Sequence, residues 1–154
     1  GSIPKLQPEN LDDVIKKVIE YFEKRLPQTG KNVSLILEGN TTSQVDLNAD
    51  LFEWVIENLI KNALDAIETE NGEILFVIKE NKETIKIDVT DNGKGIDIKK
   101  RNEIFRPGYS TKRRGWGLGL SLSKRIIEDY HKGKIFLKSS VIGKGSTFQI
   151  LLKK

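Results

Sequence analysis

Apolar residues at Leu11, Val14, Ile15, Val18, Ile19, Phe22 and Leu26 recur every three to four positions, the spacing of one face of a helix. Pro8 and Glu9-Asn10 precede this stretch, and Pro27 and Gly30 close it. Val33 to Leu37 and the shorter Gln44 to Leu47 read as strands with Gly39-Asn40 turning between them. Asn48 and Asp50 offer caps for a second helix running to about Ile67, after which Asn71-Gly72 breaks the chain. Ile74 to Lys79 and Ile85 to Val89 predict a hairpin through Asn81-Lys82, with Ile85, Ile87 and Val89 on one face and Lys86 and Asp88 on the other.

Regular patterning fades from Asp91 to Gly119, apart from a short helix expected around Ile98 to Phe105. So long an irregular stretch within a compact domain marks either disorder or a functional lid. Leu118 to Tyr130 is helical again, and Lys134 to Lys138 and Ser146 to Leu152 end the chain as strands around a Gly143-Lys144-Gly145 turn. About three main helices and six strands predict an α/β (α+β) two-layer sandwich, with the helices on one face of a mixed sheet.

Composition narrows the chemistry. The 154 residues suit one domain, and 26 Lys+Arg against 22 Asp+Glu give a net charge of +4, enough to favour anions without arguing for DNA. Zero Cys excludes disulfides and thiolate metal sites, and a single His excludes any centre needing two. No apolar run approaches the roughly 20 residues that span a bilayer. Gly1-Ser2 reads as an expression-vector remnant.

Four clusters carry candidate chemistry. On the second helix, Phe52, Val55, Ile56, Leu59, Ile60, Ala63, Ala66 and Ile67 share an apolar arc, and Asn58 and Asn62, four apart, stack on its flank. Carboxamides there either hold strand ends or buried water, or supply oxygen to a hard cation completed by phosphates and waters. Asp91-Asn92-Gly93-Lys94-Gly95 follows a strand directly. Alone it is a turn, while functionally its carboxylate suits an exocyclic amine such as adenine's. Gly115-Trp116-Gly117-Leu118-Gly119-Leu120 runs into a helix, where unpaired N–H groups suit phosphates. It is neither a Walker loop nor a dinucleotide fingerprint. Gly143-Lys144-Gly145-Ser146-Thr147 by itself is a hairpin turn.

The order and intervals of the four are more specific than any one. Together they resemble the ATP-binding catalytic domain of sensor histidine kinases, in the GHKL superfamily with its Bergerat fold. Asn58-Leu59-Ile60-Lys61-Asn62-Ala63 is similar to the N box, and Asp91-x-Gly93-x-Gly95 to the first glycine box. Phe105-Arg106-Pro107-Gly108-Tyr109-Ser110-Thr111-Lys112 is similar to the F box and lid. The second glycine box is matched at Gly115 to Leu120 and the third at Gly143 to Ser146. The resemblance runs from about Pro8 onward and puts a lid at about 97–117.

The resemblance implies ATP and Mg²⁺ as cofactors. Asn62 is then the metal ligand and Asn58 a phosphate-side or water-mediated partner. Asp91 bonds the adenine amine, with Gly93, Gly95 and Ile96 lining the base pocket. Gly117, Leu118 and Gly119 bring backbone amides to the phosphates, with Gly115 and Leu120 also at the nucleotide, and Thr147 joins a water network beneath adenine. Lys112, Arg113 and Arg114 are either a solvated surface run or, in a glycine-flanked loop beside a phosphate site, cations of which at least one, with Lys112 the candidate, steers or neutralises the triphosphate. Lys61 matches a position that is often basic in the family, although the helical wheel turns it to solvent. His131 is expected to be a surface or helix-end cation, not the phosphoacceptor.

Hydrolytic superfamily members carry Glu four residues before the N-box Asn, and Asn58 stands there instead. The resemblance therefore implies transfer of the γ-phosphoryl group to a histidine on separate dimerisation helices, with a response regulator downstream. The chain reads as an excised catalytic domain, monomeric, cytoplasmic and without a nucleic-acid partner. A GHKL serine kinase of the anti-sigma type and a non-catalytic nucleotide-binding module are the alternatives.

Overall fold

The computed structural model describes residues 3–109 and 119–154. In chain order the elements are β1 (Gln7–Glu9), α1 (Leu11–Arg25), β2 (Val33–Glu38), β3 (Val45–Leu47), α2 (Ala49–Ala66), β4 (Gly72–Glu80) and β5 (Thr84–Asp91). After them come α3 (Gly119–Arg125), β6 (Lys134–Val141) and β7 (Gly145–Lys153). Five strands form one sheet in the order β2-β4-β5-β7-β6. Among the described residues only the β2–β4 pairing is parallel, the two strands being joined through β3 and α2. The expected mixed, mostly antiparallel sheet under three helices is the one observed.

Capping chemistry starts the first two helices. Asn10 accepts the Asp13 N–H at 3.0 Å to begin α1, and Asn48 accepts the Leu51 N–H at 3.1 Å to begin α2, each satisfying an N–H that the helix cannot. The apolar arc of α2 buries Phe52, Val55, Ile56, Leu59, Ile60 and Ala63. Beneath it lie Ile74 and Phe76 of β4 and Ile85 and Ile87 of β5, all fully buried. Each such side chain contributes about 1.5–3 kcal/mol by leaving water, so α2 and the central strands form the rigid platform of the domain.

Three elements differ from the pattern-based expectation. The strands on either side of Gly39-Asn40 are not neighbours: β2 lies parallel to β4, whereas β3 pairs antiparallel with the unforeseen β1 in a separate two-stranded sheet. Carboxylates hold the connection between them. Buried Asp12 accepts the Thr41 N–H at 3.0 Å. Glu80 accepts the Thr42 N–H at 2.8 Å and the Lys154 ammonium at 2.8 Å, and these donors hold its carboxyl down at about 2. The expected helix at 98–105 is two short 3₁₀ turns, Ile98–Lys100 and Glu103–Phe105. The last helix changes from α to π at Ile126–Tyr130.

Candidate nucleotide-binding site

Asp91 ends β5, in register with Ile74 on one side and Ser146 on the other. Its side chain is buried, and its Oδ1 accepts the Gly93 N–H at 2.8 Å. Burial pushes the carboxyl pKa up, while the Gly93 and Ser146 N–H groups pull it back. A buried carboxylate with only two backbone donors keeps capacity to accept a further donor.

The loop after Asp91 is clamped from both sides. Lys94 donates its N–H to the Ala66 carbonyl at 2.8 Å, and a Cβ on Gly93 would lie 2.7 Å from Ala66. Glycine is thus required at 93 by the end of α2. Gly95 has φ of +80° and faces the Val141 carbonyl, a conformation and a space that both exclude a side chain. On the far side Gly143 donates to the Lys94 carbonyl at 2.7 Å, and the Ile96 N–H donates to Ser140 Oγ at 2.7 Å. Asn92 is structural: it accepts the Glu73 N–H at 2.8 Å and donates to the Asn71 carbonyl at 2.9 Å.

The two asparagines of α2 are half-buried on one flank, about 6 Å apart along the helix at 1.5 Å rise per residue. Asn58 donates from Nδ2 to the fully buried Ser123 Oγ of α3 at 3.2 Å, and its Oδ1 would lie 2.5 Å from a Cβ on Gly119. Gly119 and Leu120 open α3, with Leu120 half-buried against the core. Lys61 is exposed, as its place on the wheel requires. Phe105, the aromatic of the stretch that resembles the F box, is buried edge-on against Phe148 with ring centroids 6.1 Å apart, so the chain is held in the core at this point. Lys112, Gly115, Gly117 and Leu118, with Arg113, Arg114 and Trp116, lie outside the described residues.

Two expectations need correction. Thr147 is not beneath the Asp91 pocket. It pairs with Thr90 in register, and its hydroxyl lies 2.8 Å from the Thr90 hydroxyl. Strand alternation puts both on the sheet face away from Asp91. Ser146, buried and in register with Asp91, occupies the place that Thr147 was given. The inward alternation of Phe148, Ile150 and Leu152 was the signal that would have found it. His131 is not a surface cation. It is buried, its Nε2 accepts the Asn48 N–H at 3.1 Å, and its Nδ1 faces the Ile126 carbonyl at 2.9 Å. That pair of partners fixes a neutral ring protonated at Nδ1, and burial lowers its pKa.

Among the described residues no group of three or more His, Cys, Asp or Glu side chains could hold a metal ion. Residues 48–154 match the family profile of histidine kinase-, DNA gyrase B- and HSP90-like ATPases. The chain belongs to that family. Its likeness is to the histidine-kinase branch. It is 39% identical over 148 residues to the sensor histidine kinase ZraS of Escherichia coli K12, covering 96% of this chain and 31% of ZraS. The catalytic domain of histidine kinase ThkA superposes with a TM-score of 0.83 at 28% identity, covering 97% of this chain and 96% of that domain. ThkA in complex with the response regulator protein TrrA gives 0.80 at 25% identity, covering 97% of this chain and 42% of that one. The chain is thus a histidine-kinase-type ATPase catalytic domain, and it spans about a third of the length of ZraS. All four candidate motifs fall inside the matched segment, whereas β1, α1, β2 and β3 precede it. Within the family this chain has an amide at 58, already bonded to Ser123.

Proposed function

We propose that this domain binds Mg-ATP between α2, α3 and the Asp91 loop and passes the γ-phosphoryl group to a histidine on a separate helical domain. The observation that carries the reading is that buried Asp91 leads into a loop bonded to Ala66 at the end of α2, the helix that bears both carboxamides. Asp91 accepts the adenine amine. Asn62 is the ligand to Mg²⁺, the role that the resemblance of Asn58 to Ala63 to the N box implies, and Asn58, whose oxygen faces Gly119, is the phosphate-side partner. A hard amide oxygen suits that ion, which keeps waters and phosphates for the rest of its shell. The cation, when bound, offsets negative charge on the transferring phosphoryl group.

The chemistry is transfer, not hydrolysis. Water needs a base to become a competent nucleophile, and an amide cannot take a proton. A neutral imidazole has its lone pair in place and needs only alignment and charge stabilisation. Lys112 is proposed to supply part of that stabilisation from the lid. The response regulator in the ThkA complex supports a regulator as the downstream partner here.

The test is transfer from labelled ATP to the helical phosphoacceptor domain of the same kinase. The expected label on that domain is lost in acid and retained in base. An acid-stable label identifies a serine acceptor instead, and nucleotide binding with no transfer to any acceptor identifies a binding module.

A further inference from the structure

Ser140, on β6, lies in none of the four motifs, yet its Oγ joins the two segments that carry Asp91's donors. It accepts the Ile96 N–H at 2.7 Å, lies 2.8 Å from Ser146 Oγ and lies 3.1 Å from the Gly145 carbonyl. Ile96 closes the loop that begins with Gly93, and both the Gly93 and Ser146 N–H groups hold the Asp91 carboxylate. A one-residue irregularity in β6, between Leu137 and Ser139, puts Ser140 in register with Ser146 on the inner face. Ser139 then pairs with Thr147 and is exposed.

We infer that Ser140 is a positioning residue that sets adenine specificity by fixing the Asp91 carboxylate and the Ser146 hydroxyl relative to each other. The inference rests on the nucleotide-binding reading above.

A hydroxyl has one proton, and the proton count makes Ser140 decisive for Ser146. If Ser140 donates to the Gly145 carbonyl, Ser146 must donate to Ser140 and offers only lone pairs to the pocket. If Ser140 donates to Ser146 Oγ, the Ser146 O–H is released to donate. The same oxygen takes the Ile96 N–H, which would otherwise be a half-buried donor without an acceptor. Removing the hydroxyl frees the 93–96 loop from the β6–β7 hairpin at one of its two anchors; the Gly143-to-Lys94 bond remains. Asp91 is then held, but its aim toward an exocyclic amine is not.

The test compares ADP with purine riboside 5′-diphosphate, which lacks the 6-amino group, by calorimetry with Mg²⁺ on the whole chain. Ser140→Ala is expected to weaken ADP about tenfold, the value of one or two hydrogen bonds, and the amine-free nucleotide less than about threefold. Ser140→Thr, which restores the hydroxyl, should return the ratio to that of the unaltered chain. Ser139→Ala, on the exposed face, should leave it untouched. Equal losses for both nucleotides, no change in either, or a threonine variant as weak as alanine would each overturn the role of the Ser140 hydroxyl while leaving the nucleotide site standing. Failure of the unaltered chain to bind ADP would instead overturn the site itself, and this inference with it.

Discussion

Asn58 of α2 and Ser123 of α3 are 65 residues apart and share a hydrogen bond of 3.2 Å between Nδ2 and Oγ. The bond joins the helix that bears the candidate metal ligand to the helix that opens with Gly119 and Leu120. It also commits the amide at the position where hydrolytic relatives carry a carboxylate. Gly119 sits against the other end of the same amide.

That contact predicts the behaviour of Gly119→Ala. A Cβ at 2.5 Å from Asn58 Oδ1 makes the amide shift, which strains its bond to Ser123. Nucleotide affinity should fall by at least tenfold, with destabilisation of about 1–3 kcal/mol from overpacking. Chemical denaturation and calorimetry on the same preparation would show it. Unchanged affinity would mean that the α2–α3 contact does not shape the site.

Asp91→Asn separates stability from recognition. Burial raises the Asp91 pKa above its ordinary 3.8. A folded-state pKa above the unfolded value favours the fold below 3.8, and that advantage is lost as pH rises through the raised pKa. At neutral pH the buried charge is therefore a cost. The asparagine variant should melt no lower than the unaltered chain at pH 7, yet lose most of its preference for ATP over nucleotides without the amine. Equal losses for ATP and GTP would contradict the adenine role.

Asn62→Ala should remove most of the Mg²⁺ dependence of triphosphate binding, because the remaining α2 amide is turned to Ser123. Titration of ATP with and without the cation reads this directly. A magnesium response equal to that of the unaltered chain would move the metal off α2.

His131 gives the fold a defined pH response. Its folded pKa lies below the ordinary 6.5 because the ring is buried and neutral. The unfolded chain therefore takes up the proton first as pH falls. Stability from this group is complete above 6.5 and is lost as pH drops through 6.5 toward the folded pKa, with a slope approaching about 1.4 kcal/mol per pH unit. As the sole histidine, His131 makes the assignment clean. Denaturation midpoints between pH 7.5 and 5 should slope in the unaltered chain and much less in His131→Gln. Equal slopes would place the effect elsewhere.

The legible parts of the molecule were those governed by local period. The α2 arc from Phe52 to Ile67 and the alternation of Ile85, Ile87 and Val89 follow from spacing alone, and the structure buries those faces. β1 left no such trace: three residues around Pro8, mostly exposed, become a strand only by pairing with β3. Which strand neighbours β2 is decided by the path of the chain through α2, not by the Gly39-Asn40 turn. His131 reads as a surface or helix-end cation because it stands at the end of a helix just before Gly133, but the π turn at Ile126–Tyr130 widens the register before it, and the His131 N–H bonds the Ile126 carbonyl five residues back. Within the site, Asp91, Asn58 and the glycines stood out by type and interval. Ser123, Ser140 and Ser146 did not, since a small hydroxyl carries no periodic signal and their partners come from distant strands and helices.

The most direct measurement is calorimetry of ADP with Mg²⁺ on the folded chain. The account predicts one exothermic site per chain, weakened by Asp91→Asn without loss of fold. A folded chain that releases no heat with millimolar ADP would contradict it.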